Sequence, residues 1–166
     1  ARLTLAFQDY TESRHNRNFG GGNRLRKNNR FENVKAWSAN LDLDKQLNRR
    51  TTLFYGAEWV YNEVGSTAFR EQIVTGEVTP LSTRYPNGST WRSVAGYVST
   101  KVALSNQWLL NASGRFTHTH TFARFDNTFF DFQFTEATLS NAAANGSIGV
   151  VYNPRPDLKV YGNVSN

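Results

Sequence analysis

The 166-residue sequence contains no cysteine and no methionine. Without cysteine there is no disulfide framework and no thiolate chemistry. Methionine is missing even at position 1, where "ARLTLAFQDY" opens directly on an alternating pattern, as expected of an internal piece of a longer chain. No apolar run approaches the ~20 residues that a membrane-spanning helix requires. A secretory signal is also missing, which for an internal piece says nothing about export. The chain has no HExxH, no Gly-x-Ser-x-Gly elbow and no Cys nucleophile, so no catalytic set is visible and no cofactor is expected. Hydrophobic residues make up only 39%, yet aromatics reach 14%, with 12 Phe, 7 Tyr and 4 Trp. The formal charge of +6 points to nucleic acid, anionic lipid headgroups or an acidic ligand as partner classes.

Alternation with a period of two recurs along the whole chain. In 51–62, Leu53, Tyr55, Ala57, Trp59 and Tyr61 oppose Thr52, Gly56, Glu58 and Asn62, with Phe54 and Val60 as exceptions. Trp37, Ala39, Leu41 and Leu43 oppose Ser38, Asn40, Asp42 and Asp44. Trp108, Leu110, Ala112, Gly114 and Phe116 oppose Asn111, Ser113, Arg115 and Thr117, and the opening segment sets Leu3, Leu5 and Phe7 against Arg2, Thr4 and Gln8. The pattern predicts seven strands with one apolar and one polar face, at 2–13, 32–46, 51–64, 91–104, 108–123, 138–152 and 158–166.

Short polar turns at 47–50, 105–107 and 153–157 alternate with long links at 14–31, 65–90 and 124–137. In an up-and-down antiparallel sheet this puts every tight turn at one end and every long loop at the other, the asymmetry of a transmembrane β-barrel. Trp108, Trp91 and Tyr152 near strand ends match its aromatic girdles. A soluble β-sandwich or small barrel would also alternate, but would need a second layer against the apolar faces. Open sheet edges are not tolerated in hydrocarbon, so the membrane reading requires further strands outside these residues.

The segments "VKAWSANLDLDKQLNRRTTLFYGAEWVYNEVGS" (34–66), "TRYPNGSTWRSVAGY" (83–97) and "LLNASGRFTHTHTFARFD" (109–126) resemble successive parts of the barrel of TonB-dependent outer-membrane receptors, especially those of Bacteroidetes-type bacteria. "LKVYGNVSN" stops where such receptors usually continue into a Gly-Phe-Arg-Ala-Pro motif. The resemblance implies a bacterial outer-membrane barrel of about 22 strands around an N-terminal plug. Residues 1–166 would form part of this one barrel domain, with plug and remaining strands elsewhere. It implies non-enzymatic import of a scarce ligand, such as a ferric siderophore, haem or another nutrient. The TonB energy-coupling complex would drive it through an N-terminal region not in this chain. Outer-membrane lipid and lipopolysaccharide would surround the barrel, and the family leaves room for a surface lipoprotein partner. The alternatives are another outer-membrane barrel, translocator or porin, and a soluble β-rich binding module.

Candidate sites follow from this frame. His118 and His120 share the parity of Phe116, so they are expected to point outward at the outer aromatic belt rather than to ligate a metal; a β-bulge would reverse that. The segment 14–30 holds Arg14, Arg17, Arg24, Arg26, Lys27 and Arg30 with His15 and no acid, broken by Gly20, Gly21 and Gly22. Read as a loop, it is a solvated surface, a contact for lipopolysaccharide phosphates, or a place to capture an anionic ligand. Arginine suits both anion roles because its planar fork pairs two oxygens. Loop aromatics there are too sparse for nucleic-acid stacking, so no nucleic-acid partner is expected. Arg70, Arg84 and Tyr85 complete the expected ligand-binding set, with Phe69 beside them. Phe129, Phe130, Phe132 and Phe134 are expected to pack on a neighbouring loop or else to close over a ligand, and "DNTFFDFQF" to extend a hairpin. Asn40, Asp42, Glu58, Asn111 and Arg115 are expected to face the lumen and the plug.

Overall fold

The computed structural model describes residues 1–21 and 24–166. They form one antiparallel sheet: β1 (Arg2–Arg17), β2 (Arg26–Asn48), β3 (Thr51–Gln72), β4 (Val78–Pro80), β5 (Ser89–Ala103), β6 (Trp108–Arg124), β7 (Glu136–Arg155) and β8 (Leu158–Ser165). Strand order follows the chain, β1-β2-β3-β5-β6-β7-β8, with β4 pairing onto β3. The sheet is not closed by these residues: β1 and β8 stand at its two ends.

The seven predicted strands are all present, and the short eighth, β4, is additional. The main difference lies at the long-loop end. Residues 14–17 and 26–31 are not loop but the upper parts of β1 and β2, paired Arg14↔Arg30, His15↔Asn29, Asn16↔Asn28 and Arg17↔Lys27. Likewise 65–72 extends β3 opposite β2, Gly65↔Asn33 through Gln72↔Arg26. Apart from Phe31, Ala68 and Phe69 these extensions are polar or glycine on both faces, so they satisfy the backbone by cross-strand pairing without the alternation that hydrocarbon imposes on the lower strand. Of the Gly20–Gly22 break, Gly22 lies outside the described residues, whereas Gly21 has φ of +63°, the left-handed conformation glycine adopts freely.

Register sorts side chains into two faces. Phe7↔Trp37, Trp37↔Tyr61, Leu41↔Ala57 and Leu43↔Tyr55 lie on one, continuing through Tyr55↔Val98, Val98↔Gly114, Gly96↔Phe116 and Ala112↔Ile148. Among the described residues no second layer covers this face: Phe116 is 56% exposed, Val98 48% and Leu41 39%. On β6 the apolar stripe from Trp108 to Phe116 covers ~26 Å at ~3.3 Å per residue. A strand tilt of ~40° reduces its height to ~20 Å, close to the ~25 Å apolar band of outer-membrane barrels.

Aromatics mark both limits of the stripe. At the tight-turn end Trp108 stacks on Tyr152, centroids 4.2 Å apart. Toward the long-loop end Phe7, Trp37 and Tyr61 form a cross-strand row with centroid spacings of 5.2 and 5.7 Å. Directly beyond this row the same face turns charged, with Asp9↔Lys35 and Lys35↔Glu63 as register partners. Trp91 is not part of either girdle. It pairs with Asn62 and Thr121 on the opposite, polar face.

Val98 lies midway up the apolar face. Val98→Arg in the full-length protein is expected to lower folding stability in lipid bilayers by about 2–4 kcal/mol. The neighbouring polar-face change Ser99→Arg should cost far less. Urea unfolding of the two variants in vesicles makes the comparison, and equal losses would contradict the face assignment.

Candidate functional site

Two polar-face clusters and one loop cavity carry the chemistry. The lower cluster crosses four strands. Asp42 on β2, Gly56 on β3 and Tyr97 on β5 lie in one register row. The Tyr97 hydroxyl donates to Asp42 Oδ1. Its ring passes over Gly56, where a methyl group would overlap both the Tyr97 hydroxyl and the Leu41 carbonyl oxygen. Asn40 Nδ2 donates to Asp42 Oδ2 at 2.9 Å. Beside it, Arg115 Nη2 on β6 donates to Glu58 Oε1 on β3 at 2.8 Å, and its guanidinium carbon lies 5.9 Å from the Tyr97 ring centroid. Asn40, Asp42, Glu58 and Arg115 are therefore gathered by Tyr97, a residue that sequence reasoning did not single out. Asn111 is on the same face, opposite Lys101 and Gly149, but outside the cluster.

The upper cluster lies where the strands extend past the apolar stripe. Glu12↔Glu32 and Glu32↔Ser66 form a polar-face row, with Arg14↔Arg30 directly above. Arg14 Nε pairs with Glu12 Oε1 at 2.6 Å. The strong hydrogen bond from Arg14, aided by its charge, holds the Glu12 carboxyl below its ordinary range. The connection after β4 folds down onto this face. Arg30 Nε donates to the Ser82 carbonyl at 3.4 Å, the Ser66 backbone N–H donates to Asn87 Oδ1 at 2.8 Å, and Arg84 reaches Glu12 at 3.8 Å and Glu32 at 4.0 Å. The Arg84 guanidinium carbon sits 5.1 Å from the Tyr85 ring centroid.

Between this connection and the one after β6 lies a cavity of about 540 Å³, lined on one side by Leu81, Arg84 and Tyr85 and on the other by Phe125, Phe129 and Phe130. Residues 125–135 form no hairpin extension. Phe125, Phe132 and Phe134 collapse on one another instead, Phe125 lying 5.2 Å from Phe132 and 5.1 Å from Phe134. Asp126 anchors this turn by accepting from the backbone N–H of Thr128 at 2.8 Å and from its hydroxyl at 2.5 Å. Those donors hold its carboxyl below the usual range.

The arginines of the expected ligand-binding set do not converge on one point. Arg14, Arg26 and Arg70 share the polar face. Arg70 Nε donates to Asn28 Oδ1 at 2.9 Å, and Arg26 and Arg70 border a cleft that includes Glu77. Arg17 lies on the opposite parity, where its Nε donates to the Arg24 carbonyl at 2.6 Å and its guanidinium carbon lies 5.4 Å from the Phe19 ring centroid. Phe69 is in β3 on that same outer side, stacked on Phe31 at 5.9 Å.

His118 and His120 face outward with Phe116, since the β5–β6 and β6–β7 registers run without a shift. His118 Nε2 lies 2.9 Å from Ser140 Oγ across the strand pair. Among the described residues no group of three or more His, Cys, Asp or Glu side chains is placed to hold a metal.

This fold has close counterparts. The family model described as "TonB dependent receptor-like, beta-barrel" matches residues 1–166, and the chain belongs to that family. No curated protein resembles the chain closely enough in sequence to count as a relative. Among solved structures, the copper transporter OprC superposes with a TM-score of 0.81 at 8% identity, covering 98% of this chain and 26% of its own. The ferric citrate transporter FecA in its unliganded form gives a TM-score of 0.51 at 16% identity, covering 98% of this chain and 24% of its own. The chain thus spans about a quarter of the length of either structure. Barrels of this family lie in the outer membrane of Gram-negative bacteria, which sets this chain's location.

Gly56→Ala is expected to destabilise the receptor by about 1–3 kcal/mol through overpacking against Tyr97. At an unobstructed strand position the same change would stabilise by ~0.5–1 kcal/mol. Denaturant unfolding checks the sign. Because Glu58 and Arg115 are each 36% exposed, a Glu58→Gln, Arg115→Met double-mutant cycle should return a coupling below about 1 kcal/mol.

Proposed function

We propose that the protein imports a scarce anionic metal chelate or comparable nutrient across the outer membrane, with the TonB complex supplying energy through a part of the protein beyond these residues. Family membership supports the transport class. The observation that carries the ligand reading is the set of polar-face guanidinium groups on strand extensions above the apolar stripe, Arg30 and Arg70 together with Arg14, which Glu12 holds in place. Cations placed around the mouth of a narrow polar passage concentrate anions at it, and guanidinium groups match carboxylate or phosphate oxygens two at a time. The names of the two similar structures, a copper transporter and a ferric citrate transporter, agree with metal or metal-chelate cargo. In this reading Arg24, Arg26, Arg84 and Tyr85 contribute from the strand tops and connections. The Tyr97–Asp42 and Arg115–Glu58 network, together with Asn40 and Asn111, faces the plug.

On the outer parity Arg17 and Lys27 are register partners, with Lys35 lower on the same face of β2. We assign Lys35 to the phosphates of lipopolysaccharide, because it stands just beyond the aromatic row where headgroups begin; Arg17 and Lys27 lie ten residues beyond that row. A surface lipoprotein would engage the connections rather than these strand faces.

Cells dependent on the full-length receptor should accumulate radiolabelled ferric chelate only when TonB is intact. A combined Arg14→Ala, Arg70→Ala variant should import at a several-fold lower rate at limiting chelate. Equal uptake without TonB would sink the proposal. His118→Ala with His120→Ala should leave uptake unchanged, since both rings face away from the passage.

A further inference from the structure

A second, smaller cavity of about 330 Å³ lies beneath the 81–88 connection, with Val34 and Val64 as its floor and Tyr10, Glu12, Glu32 and Tyr85 among its walls. Glu32 is only 5% exposed, and neither of its carboxylate oxygens accepts a hydrogen bond. A carboxylate removed from water needs both a counter-charge and donors for its lone pairs. Here the nearest cation, Arg84, stops at 4.0 Å from Glu32 Oε2 and makes no hydrogen bond to it. Glu12, the register partner of Glu32, is already engaged by Arg14 at 2.6 Å. Arg30, the other cation nearby on β2, is turned to the Ser82 carbonyl.

We propose that this cavity recognises a protonated amine carried on a small apolar body, and that Arg84, beside both of its glutamates, is an internal stand-in for that cation. The surroundings are those a cationic nitrogen requires: the Glu32 carboxylate with unfilled acceptor sites, the Tyr85 ring whose face already carries a cation, and valine side chains for the attached carbon. Arg84 already makes such contacts in outline, over the Tyr85 ring at 5.1 Å and beside both glutamates. Its guanidinium stands at 4.0 Å from Glu32, and the hydrogen bonds to Glu32 stay unmade. An entering ammonium with three donors would complete them and displace Arg84. A divalent metal is a poorer fit, because two carboxylates fall short of the six or more oxygens that calcium prefers, and no larger ligand group exists among the described residues. The inference goes beyond the import reading, since its ligand is opposite in charge to the proposed chelate, and it rests on that reading only for the purpose of the binding.

The test is calorimetric binding to the full-length receptor in detergent, with n-butylammonium as probe and n-butanol as its neutral counterpart. Butylammonium should bind, and butanol should bind roughly tenfold more weakly or not at all, the span expected for hydrogen bonds to a charged group. Glu32→Gln should abolish the preference. Arg84→Ala should tighten butylammonium several-fold by removing the competing cation. Should the Glu32→Gln variant not fold, Tyr85→Leu serves instead: it should weaken butylammonium about two- to thirtyfold and leave butanol unchanged. Equal affinity for the two probes, or a Kd for butylammonium indifferent to Arg84→Ala, overturns the proposal. Because this readout needs no TonB, loss of chelate uptake with butylammonium binding intact would count against the import reading alone.

Discussion

Hydrocarbon offers no hydrogen bonds, and the rest of this structure follows from that. Every backbone N–H and C=O at membrane depth must pair with a neighbouring strand, so the chain crosses as long antiparallel strands in sequential order. Their side chains then alternate between lipid and a wet interior. The ladder tolerates irregularity only where it stops mattering. Register shifts occur at Gln46/Asn48 and at Tyr152/Arg155, both beside tight turns. A shift placed mid-strand would send Leu41 or Ile148 to the wet face and Asp42 or Asn145 into lipid.

The same constraint decides what can be read from the sequence. Face assignment was legible wherever hydrocarbon acts, because Trp108 through Phe116 and Trp37 through Leu43 have to alternate. Above the aromatic row water lies on both sides, and the pressure to alternate ends. "RHNR" and "RKNNRF" consequently look like loop, although their backbones pair through Arg17↔Lys27. Trp91 departs from the girdle for a different reason. Its position next to a long connection suggested a girdle, whereas its parity with Ser93, Ala95 and Tyr97 puts it on the wet face. Counting from Val94 and Val98 would have found this.

The polar clusters were less legible, because they depend on register and on a folded-back connection. That Asp42 and Glu58 occupy the wet face follows from alternation. That Tyr97 crosses Gly56 to reach Asp42 requires knowing that all three lie in one row. The strand pattern contains nothing to signal that Arg84 would turn toward Glu12 and Glu32. A basic residue in a long polar connection looks free to meet an anion, and here it is drawn instead to acids on strands far earlier in the chain.

That diversion changes what the net charge of +6 means. A surplus of cations does not make a uniformly attractive surface. Arg14 and Arg115 are each bound to a carboxylate within 2.8 Å, and Arg17 is tied to the carbonyl of Arg24. Paired guanidinium groups have lost part of their reach toward a diffusing ligand, since the partner cancels the field beyond a few ångströms. They gain fixed orientation in return. The proposed import is better served by a few oriented donors than by a deep electrostatic well, because tight capture at the rim would slow release inward as surely as weak capture would slow the first step.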